Sequence, residues 1–185
     1  ESEEPEDLYL LQTRDMITIK KKEQFDVFTD TETLKDSFLA KGIGVSGSAL
    51  AGVAVFSEEN ILALREKFAR ERNLGYDKAG NYKKEIPLIL IRQDTVPEDI
   101  KVISMTDGLL TSRGGQTSHA SVVAVRLEKT CVVGCRQMKV YESRQYCEIA
   151  GRRIEFGDPV SIDGRNGRVF HGLHATENEM HILPI

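Results

Sequence analysis

Short apolar runs, separated by glycine, proline and charged residues, recur along this chain, and their lengths predict buried β-strands. The run at 86–91 is wholly apolar, which is typical of a strand that is buried on both faces of a sheet. A β-rich stretch and a hairpin with a Gly/Asn turn are predicted nearer the C-terminus. The predicted strands lie at 52–56, 86–91, 108–110 and 130–134, the β-rich stretch at 140–154 and the hairpin at 156–169.

Between the first two strands the period of the pattern changes to that of a helix. Ser57 is a good N-cap residue, and two acidic residues follow it in the first turn. Ile61, Leu64 and Phe68 then share one face. This spacing predicts an amphipathic helix that ends near Asn73.

The stretch at 111–124 combines a glycine pair with a second helical pattern. Thr117 or Ser118 is a natural N-cap for this helix, which leaves His119 within the first turn. A strand, a glycine-rich loop and a helix N-terminus are thus expected to expose His119 at the mouth of the sheet. The apolar positions of the helix, at i, i+3, i+4 and i+7, are Ala120, Val123, Ala124 and Leu127.

Three features around His119 favour a covalently attached phosphoryl group. The helix N-terminus carries partial positive charge and unpaired N–H groups. Gly114 and Gly115 let the backbone approach an anion closely, and Arg113 offers a permanent guanidinium fork. A neutral imidazole is a competent nucleophile near neutral pH. A capping or partly exposed histidine is the alternative, and the spacing alone does not decide between the two.

Composition adds few constraints. At 185 residues, with 40% apolar and 29% charged residues, the chain is long enough for one globular domain with a hydrophobic core. A formal charge of −4 argues against nucleic acid as the main partner. No apolar run approaches the roughly 20 residues of a membrane span, and no signal peptide is visible. Because the first residue is Glu1 rather than Met, we expect a piece of a longer protein.

Two further motifs lack the neighbouring elements or residues that their usual functions require. Residues 42–47 match G-x-G-x-x-G, but a helical pattern precedes them and a strand follows, so a dinucleotide site is not predicted. Cys131 and Cys135 lack a second close pair of ligands, so a zinc site is not predicted either. The odd number of cysteines, three in all, indicates a reducing and therefore cytoplasmic setting.

The glycine-rich stretch resembles a known family. Residues 113–120, followed by 131–135, are similar to the phosphohistidine domain of the phosphoenolpyruvate-utilising enzymes. The resemblance is strongest to the pyruvate, phosphate dikinases; phosphoenolpyruvate synthase and the first enzyme of the bacterial sugar phosphotransferase system are related members. It extends over roughly 42–172, including a Thr-x-Pro-Glu-Asp arrangement at 95–99. Residues 8–14 are similar to the last strand of the nucleotide-binding domain that precedes it.

The resemblance implies an α/β fold of the swivelling β/β/α type, with a central mixed sheet and helices on one side. Residues 1–41 would be the tail of the nucleotide-binding domain plus a linker, and 42–174 the phosphohistidine domain. Residues 175–185 would be a linker toward a C-terminal domain that binds phosphoenolpyruvate or pyruvate. The pattern itself adds an exposed loop at 75–85 and weak helical character at 31–40.

The resemblance also implies a phosphotransferase in which one histidine carries a phosphoryl group between an ATP site and a pyruvate or phosphoenolpyruvate site. Those sites, with Mg²⁺, are expected on other domains; no cofactor or metal ligand is expected in this one. The carrier would be His119, with a phosphate-binding and supporting set of Arg113, Gly114, Gly115, Thr117 and Ser118. Thr117 holds the position at which plant dikinases are regulated by phosphorylation.

The implied partners are the ATP-grasp and phosphoenolpyruvate/pyruvate-binding domains of the same polypeptide, and the chain alone is not expected to turn over. Neither nucleic acid nor membrane is an expected partner, and the resemblance allows a homodimer of the full-length protein. The family usually has Arg at the position of Val125 and Gly at those of Arg126 and Glu128, and an Arg moved by one helical position points about 100° away. The alternatives are a carrier domain of a synthase or phosphotransferase-system enzyme, or a non-catalytic dikinase-like interaction module. The phosphoryl acceptor and the direction of flux stay open at this stage.

Overall fold

The computed structural model describes residues 21–72 and 86–183 of the chain. The strand predicted at 8–14 and the loop predicted at 75–85 lie outside the described residues. From residue 52 to residue 171, strands and helices follow one another in the order that the hydrophobic pattern predicts. The strands at 21–28, 38–41, 43–46 and 176–183 were not predicted, and the first and last of them lie in segments that were expected to be linkers.

The described residues form thirteen strands and four α-helices. The strands are β1 (Lys21–Phe28), β2 (Phe38–Lys41), β3 (Ile43–Ser46), β4 (Ala49–Val55), β5 (Leu88–Arg92), β6 (Gly108–Thr111), β7 (Thr130–Val133), β8 (Met138–Tyr141), β9 (Tyr146–Ile149), β10 (Arg152–Glu155), β11 (Pro159–Asp163), β12 (Arg168–His171) and β13 (Thr176–Leu183). The helices are α1 (Thr31–Ser37), α2 (Glu58–Arg72), α3 (Ile100–Ser104) and α4 (His119–Arg126), with 3₁₀ turns at Pro97–Asp99 and Glu142–Arg144. None of the helices in the described ranges is long and apolar enough to cross a membrane.

Eight strands form one mixed sheet in the order β2–β12–β11–β4–β5–β6–β7–β3. Its four central strands, β4 to β7, run parallel, whereas the strands on either side of them pair antiparallel. Parallel neighbours cannot be joined by a tight turn. Accordingly α2, α3 and α4 each lie in one of the three connections between the central strands.

Side chains of the central strands alternate between two hydrophobic cores because successive residues of a strand face opposite sides of the sheet. In β5, Leu88 and Leu90 pack with the apolar faces of α2, α3 and α4. Ile89 and Ile91 pack on the other side, with residues of the three-stranded sheet β10–β9–β8. This arrangement confirms the predicted α/β fold, with a central mixed sheet and helices on one side.

The flanking segments take defined positions around this sheet. β1 and β13 form an antiparallel ribbon of eight residue pairs, so the described chain enters and leaves side by side. The helical character predicted at 31–40 is confirmed for α1, while the residues after α1 form the edge strand β2. The domain boundaries at 41 and 174 stay predictions.

Candidate functional site

The carboxyl ends of β5, β6 and β7 meet at one edge of the sheet because these strands are parallel. Backbone hydrogen bonds hold the loops that follow them against one another. The Ser112 amide donates to the Arg92 carbonyl at 3.2 Å, and the Arg113 amide donates to the Gln93 carbonyl at 3.0 Å. This edge, where open α/β sheets bind their ligands, carries the predicted site.

His119 is the first residue of α4, and it is exposed. Ser118 is the N-cap, and its Oγ accepts a hydrogen bond from the Ser121 amide at 3.4 Å. The predicted order of strand, glycine-rich loop and helix N-terminus is therefore confirmed, with Ser118 rather than Thr117 as the cap. The apolar face of the helix is also confirmed, since Ala120, Val123 and Ala124 are buried and Leu127 packs against the same core.

The two glycines of the loop have different roles. Gly114 has a φ of +103°, and a Cβ at this position would lie 2.9 Å from Ser118 Oγ. A Cβ on Gly115 would meet nothing within 4 Å. The Gly115 carbonyl instead accepts hydrogen bonds from the hydroxyls of Ser118, at 2.7 Å, and Ser121, at 2.5 Å. The backbone conformation thus requires glycine at 114, whereas residue 115 anchors the loop to the helix through its carbonyl.

Thr95 contacts the histidine ring from the neighbouring loop. Its Oγ1 lies 3.4 Å from Nδ1 of His119, and the residue is only 8% exposed. The Asp94 carboxylate accepts a hydrogen bond from the Thr95 amide at 2.8 Å, which helps to fix the loop. Reasoning from the sequence missed this residue, although its position just after the strand adjacent to β6 was the signal that could have found it.

Arg92 stabilises the same loop through ion pairs, and the sequence analysis did not predict this role. Its guanidinium lies 3.0 Å from the Glu142 carboxylate and 3.6 Å from the Asp99 carboxylate. Glu142 also accepts a hydrogen bond from the Gln93 amide at 3.2 Å. The loop that carries Thr95 is therefore tied at both of its ends, at residues 93 and 99. Arg92 Nε is buried and has no hydrogen-bond partner among the described residues.

The sequence comparisons agree with this geometry. Residues 85–167 match the model of the family described as PEP-utilising enzyme, mobile domain. This part of the chain is a mobile domain of the PEP-utilising enzymes. The matched residues include the strands β5 to β7, the loop with the glycine pair and all of α4.

Several curated relatives of this chain are named pyruvate, phosphate dikinase. The pyruvate, phosphate dikinase of Rickettsia felis is 36% identical over 134 residues, which is 72% of this chain and 13% of that protein. The Clostridium symbiosum enzyme is 34% identical over the same length. The chloroplastic pyruvate, phosphate dikinase 1 of Arabidopsis thaliana is 31% identical over 148 residues, 80% of this chain and 14% of that protein. The chain thus spans about a seventh of the length of these relatives or slightly less.

Two of the predicted support residues of the mobile domain make no side-chain hydrogen bond within the described residues. Arg113 is exposed and held by its backbone, since its carbonyl accepts a hydrogen bond from the Thr111 hydroxyl at 2.6 Å. Thr117 is exposed beside the N-cap. The guanidinium of Arg113 and the ring of His119 are therefore not bonded to each other in this state, and both face solvent.

The departure from the family pattern lies on the outer face of α4. Val125 is 55% exposed, and Arg126 is exposed as well. Neither residue belongs to the packed face of the helix. An exposed valine at this position leaves an apolar spot on the surface of the helix.

The three cysteines are all free and buried. Burial raises the pKa of Cys131 to about 12 and that of Cys135 to about 11. The pKa of Cys147 rises to about 12, chiefly through burial. Their thiols are core side chains in the neutral form. Within the described ranges no group of three His, Cys, Asp or Glu residues could hold a metal ion.

Proposed function

We propose that this mobile domain is the central phosphoryl carrier of a pyruvate, phosphate dikinase-like enzyme, with His119 as the residue that is phosphorylated. One observation carries the proposal: an exposed imidazole at the first position of a helix, with its Nδ1 beside the buried hydroxyl of Thr95. When Nδ1–H donates to Thr95 Oγ1, the lone pair of the other ring nitrogen, Nε2, is free. Nε2 is then the nucleophile, because the tautomer of a histidine is set by the hydrogen bond of its other nitrogen.

The chemistry is two successive displacements at phosphorus. Nε2 of His119 attacks the phosphorus of the donor, the bond from phosphorus to the leaving oxygen breaks, and that oxygen departs with the electron pair. In the second step an acceptor oxygen attacks, the N–P bond breaks, and the imidazole recovers its lone pair. The helix N-terminus, the Gly114 and Gly115 backbone and the Arg113 guanidinium stabilise the negative charge in between.

The donor and acceptor sites belong to other domains in this proposal. We assign Mg²⁺ to those domains as well, since no group of three potential metal ligands lies within the described residues. ATP, phosphoenolpyruvate and pyruvate are likewise assigned to an ATP-grasp domain and a phosphoenolpyruvate/pyruvate domain of the same polypeptide. A carrier that serves two distant sites must swing between them as a rigid body. We assign the hinges to the segments at 15–41 and after 174, which include both strands of the β1–β13 ribbon.

A second candidate is a non-catalytic dikinase-like module that binds partners through the same surface. The exposed Val125 favours it, because an apolar side chain stands where the resemblance implies a cation. Carrier domains of a phosphoenolpyruvate synthase or a phosphotransferase-system enzyme would share the histidine chemistry and differ in the acceptor. The three free thiols support a cytoplasmic setting for each of these candidates.

Transfer of label from radiolabelled phosphoenolpyruvate in the presence of Mg²⁺, measured in the full-length parent protein, tests the proposal. We expect acid-labile, base-stable label on the wild type and none on His119→Asn. Label that persists in His119→Asn would move the phosphorylation site elsewhere. A folded parent that takes up no label would leave the interaction module as the function.

A further inference from the structure

A second feature of the same sheet edge is a shallow cavity of about 480 Å³ beside the loop that leads to His119. It lies over the carboxyl ends of β5 and β6, between the loop with the glycine pair and the turn after β7. Of the side chains that line it, only Arg113 has a role in the proposed phosphorylation of His119. The lining residues are Gln93, Ser112, Arg113, Arg136, Met138 and Lys139.

The floor of this cavity is held by hydrogen bonds among its own residues. Gln93 Nε2 donates to Ser112 Oγ at 3.2 Å, and Gln93 Oε1 accepts from the Val140 amide at 3.0 Å. Ser112 is buried, and its hydroxyl donates to the Met138 carbonyl at 2.6 Å. The amide of Gln93 therefore clamps three segments, the ends of β5 and β6 and the strand β8, into one fixed surface.

Three cationic side chains line the rim of the cavity, and they form no ion pair within the described residues. Arg113, Arg136 and Lys139 are exposed, and none of them forms an ion pair with a carboxylate of the described residues. Lys139 Nζ lies 5.3 Å from the ring centre of Tyr141, a cation–π contact that leaves its charge uncompensated. Arg92, at the end of β5, is by contrast neutralised by two carboxylates. Three positive charges thus converge on one small cavity of a chain whose formal charge is −4.

We propose that this cavity, the Arg113–Lys139 cleft, binds a phosphate-bearing anion while His119 reacts. The inference rests on the proposed function: the ligand is either the part of a polyphosphate donor that is not transferred or free orthophosphate. Guanidinium forks match phosphate oxygens in pairs. Three cations lie around one small cavity, so they complement a phosphate chain, whose negative charges are close together. The carboxylates of an acidic protein surface are more widely spaced and would complement the cavity less well. The rigid floor keeps the cleft preformed, so little ordering opposes binding.

The first test is binding to the 185-residue chain with His119→Asn, in which no covalent transfer can occur. Tripolyphosphate, orthophosphate and citrate are titrated at constant ionic strength, and backbone amide resonances are followed by NMR. We expect saturable shifts centred on residues 112–113 and 136–139. Saturation by tripolyphosphate alone identifies the polyphosphate donor as the source, and saturation by orthophosphate identifies the free anion. Citrate that binds as tightly as either would overturn the phosphate assignment in favour of an acidic partner surface, as would the absence of saturable binding.

The second test separates the cleft from general charge attraction. Arg136→Gln with Lys139→Gln removes two rim cations, and loss of two charge-assisted contacts should weaken binding by about tenfold or more. The matched control is Lys41→Gln with Arg168→Gln, which removes two exposed cations on β2 and β12, away from the cleft. We expect the control to bind as the parent chain does. An equal loss in both double variants would mean that binding reports net charge only, and the proposal would fail.

Failure of the cleft and failure of the carrier function give different results. If the full-length parent places label on His119 while the chain binds no phosphate anion in the cleft, the cleft is wrong and the carrier function stands. If the cleft binds phosphate and His119 takes up no label, the carrier function is wrong and the cleft stands.

Discussion

Thr95 Oγ1 lies 3.4 Å from Nδ1 of His119, although 24 positions of chain separate the two residues. The contact joins the loop after β5 to the first turn of α4 and leaves Nε2 as the ring nitrogen without a described partner. Because Thr95 is buried and its loop is tied by Arg92 and Glu142, the contact fixes one edge of the ring. The first two predictions follow from this geometry.

Replacing Thr95 by Val keeps the shape of the side chain and removes the hydroxyl. We expect the rate of phosphoryl transfer to fall by about five- to tenfold, the equivalent of one hydrogen bond of about 1 kcal/mol. Single-turnover labelling of the full-length parent measures the rate. Thr95→Ser is the control and should restore most of the rate, because the hydroxyl returns. A Val variant as fast as the wild type would show that the contact has no part in the reaction.

The position of the phosphoryl group on the ring is a separate prediction. Since Nδ1 is engaged by Thr95, phosphorylation should occur at Nε2. NMR of the phosphorylated protein distinguishes the two isomers through the imidazole couplings to phosphorus. Detection of the Nδ1 isomer would contradict the proposal that Nδ1–H donates to Thr95 Oγ1.

Gly114 and Gly115 should respond differently to substitution by alanine. Gly114→Ala forces a side chain into a φ of +103° and against Ser118 Oγ, and we expect a loss of about 1–3 kcal/mol in the free energy of unfolding. Gly115→Ala meets no neighbour and should change the stability by less than about 0.5 kcal/mol. Urea unfolding of the two variants, followed by circular dichroism, makes the comparison. Equal losses in both would mean that the loop is not held as described.

Ser118 and Thr117 form a second matched pair. Ser118→Ala removes the N-cap of α4 and a hydroxyl that donates to the Gly115 carbonyl, so it should cost about 1 kcal/mol of stability. Thr117→Ala removes an exposed hydroxyl without a hydrogen bond in the described residues and should be close to neutral. Thermal unfolding of both variants measures the difference. A larger effect at residue 117 would transfer the capping role to Thr117.

The cysteines provide a test of the core. Burial favours the neutral thiol, which is why the pKa values of Cys131 and Cys147 rise to about 12, and only the thiolate reacts rapidly. We expect no alkylation of the folded chain by N-ethylmaleimide at pH 7.5 within the time that labels all three thiols in guanidinium chloride. Mass spectrometry counts the adducts. Rapid labelling of Cys135 in the folded chain would place that residue outside the core.

The local parts of the site follow from short-range rules that act within a few residues. The i, i+3, i+4 pattern at 120–127 and a capping residue before it are sufficient to begin a helix at His119. The helix after Ser57 was predicted in the same way and is described from Glu58 to Arg72, while its expected end near Asn73 lies outside the described residues. The glycine pair was recognised by its residue type, but only the backbone angles reveal that Gly114 alone requires glycine.

Strand order and the contacts between loops do not follow from short-range rules, because they depend on which segments become neighbours in the sheet. The sequence predicted the strands β5 and β6 and contains the Thr-x-Pro-Glu-Asp motif, but it did not predict that the hydroxyl of Thr95 would contact the ring of His119. Nor did it predict that Arg92 would meet Glu142, 50 positions away. The sequence by itself determined the helix start, the exposed histidine and the buried strands, since each is a property of neighbouring residues. The tertiary structure decided which side chains orient that histidine and which cations surround the adjacent cleft, because parallel pairing brings the ends of separate strands to one edge.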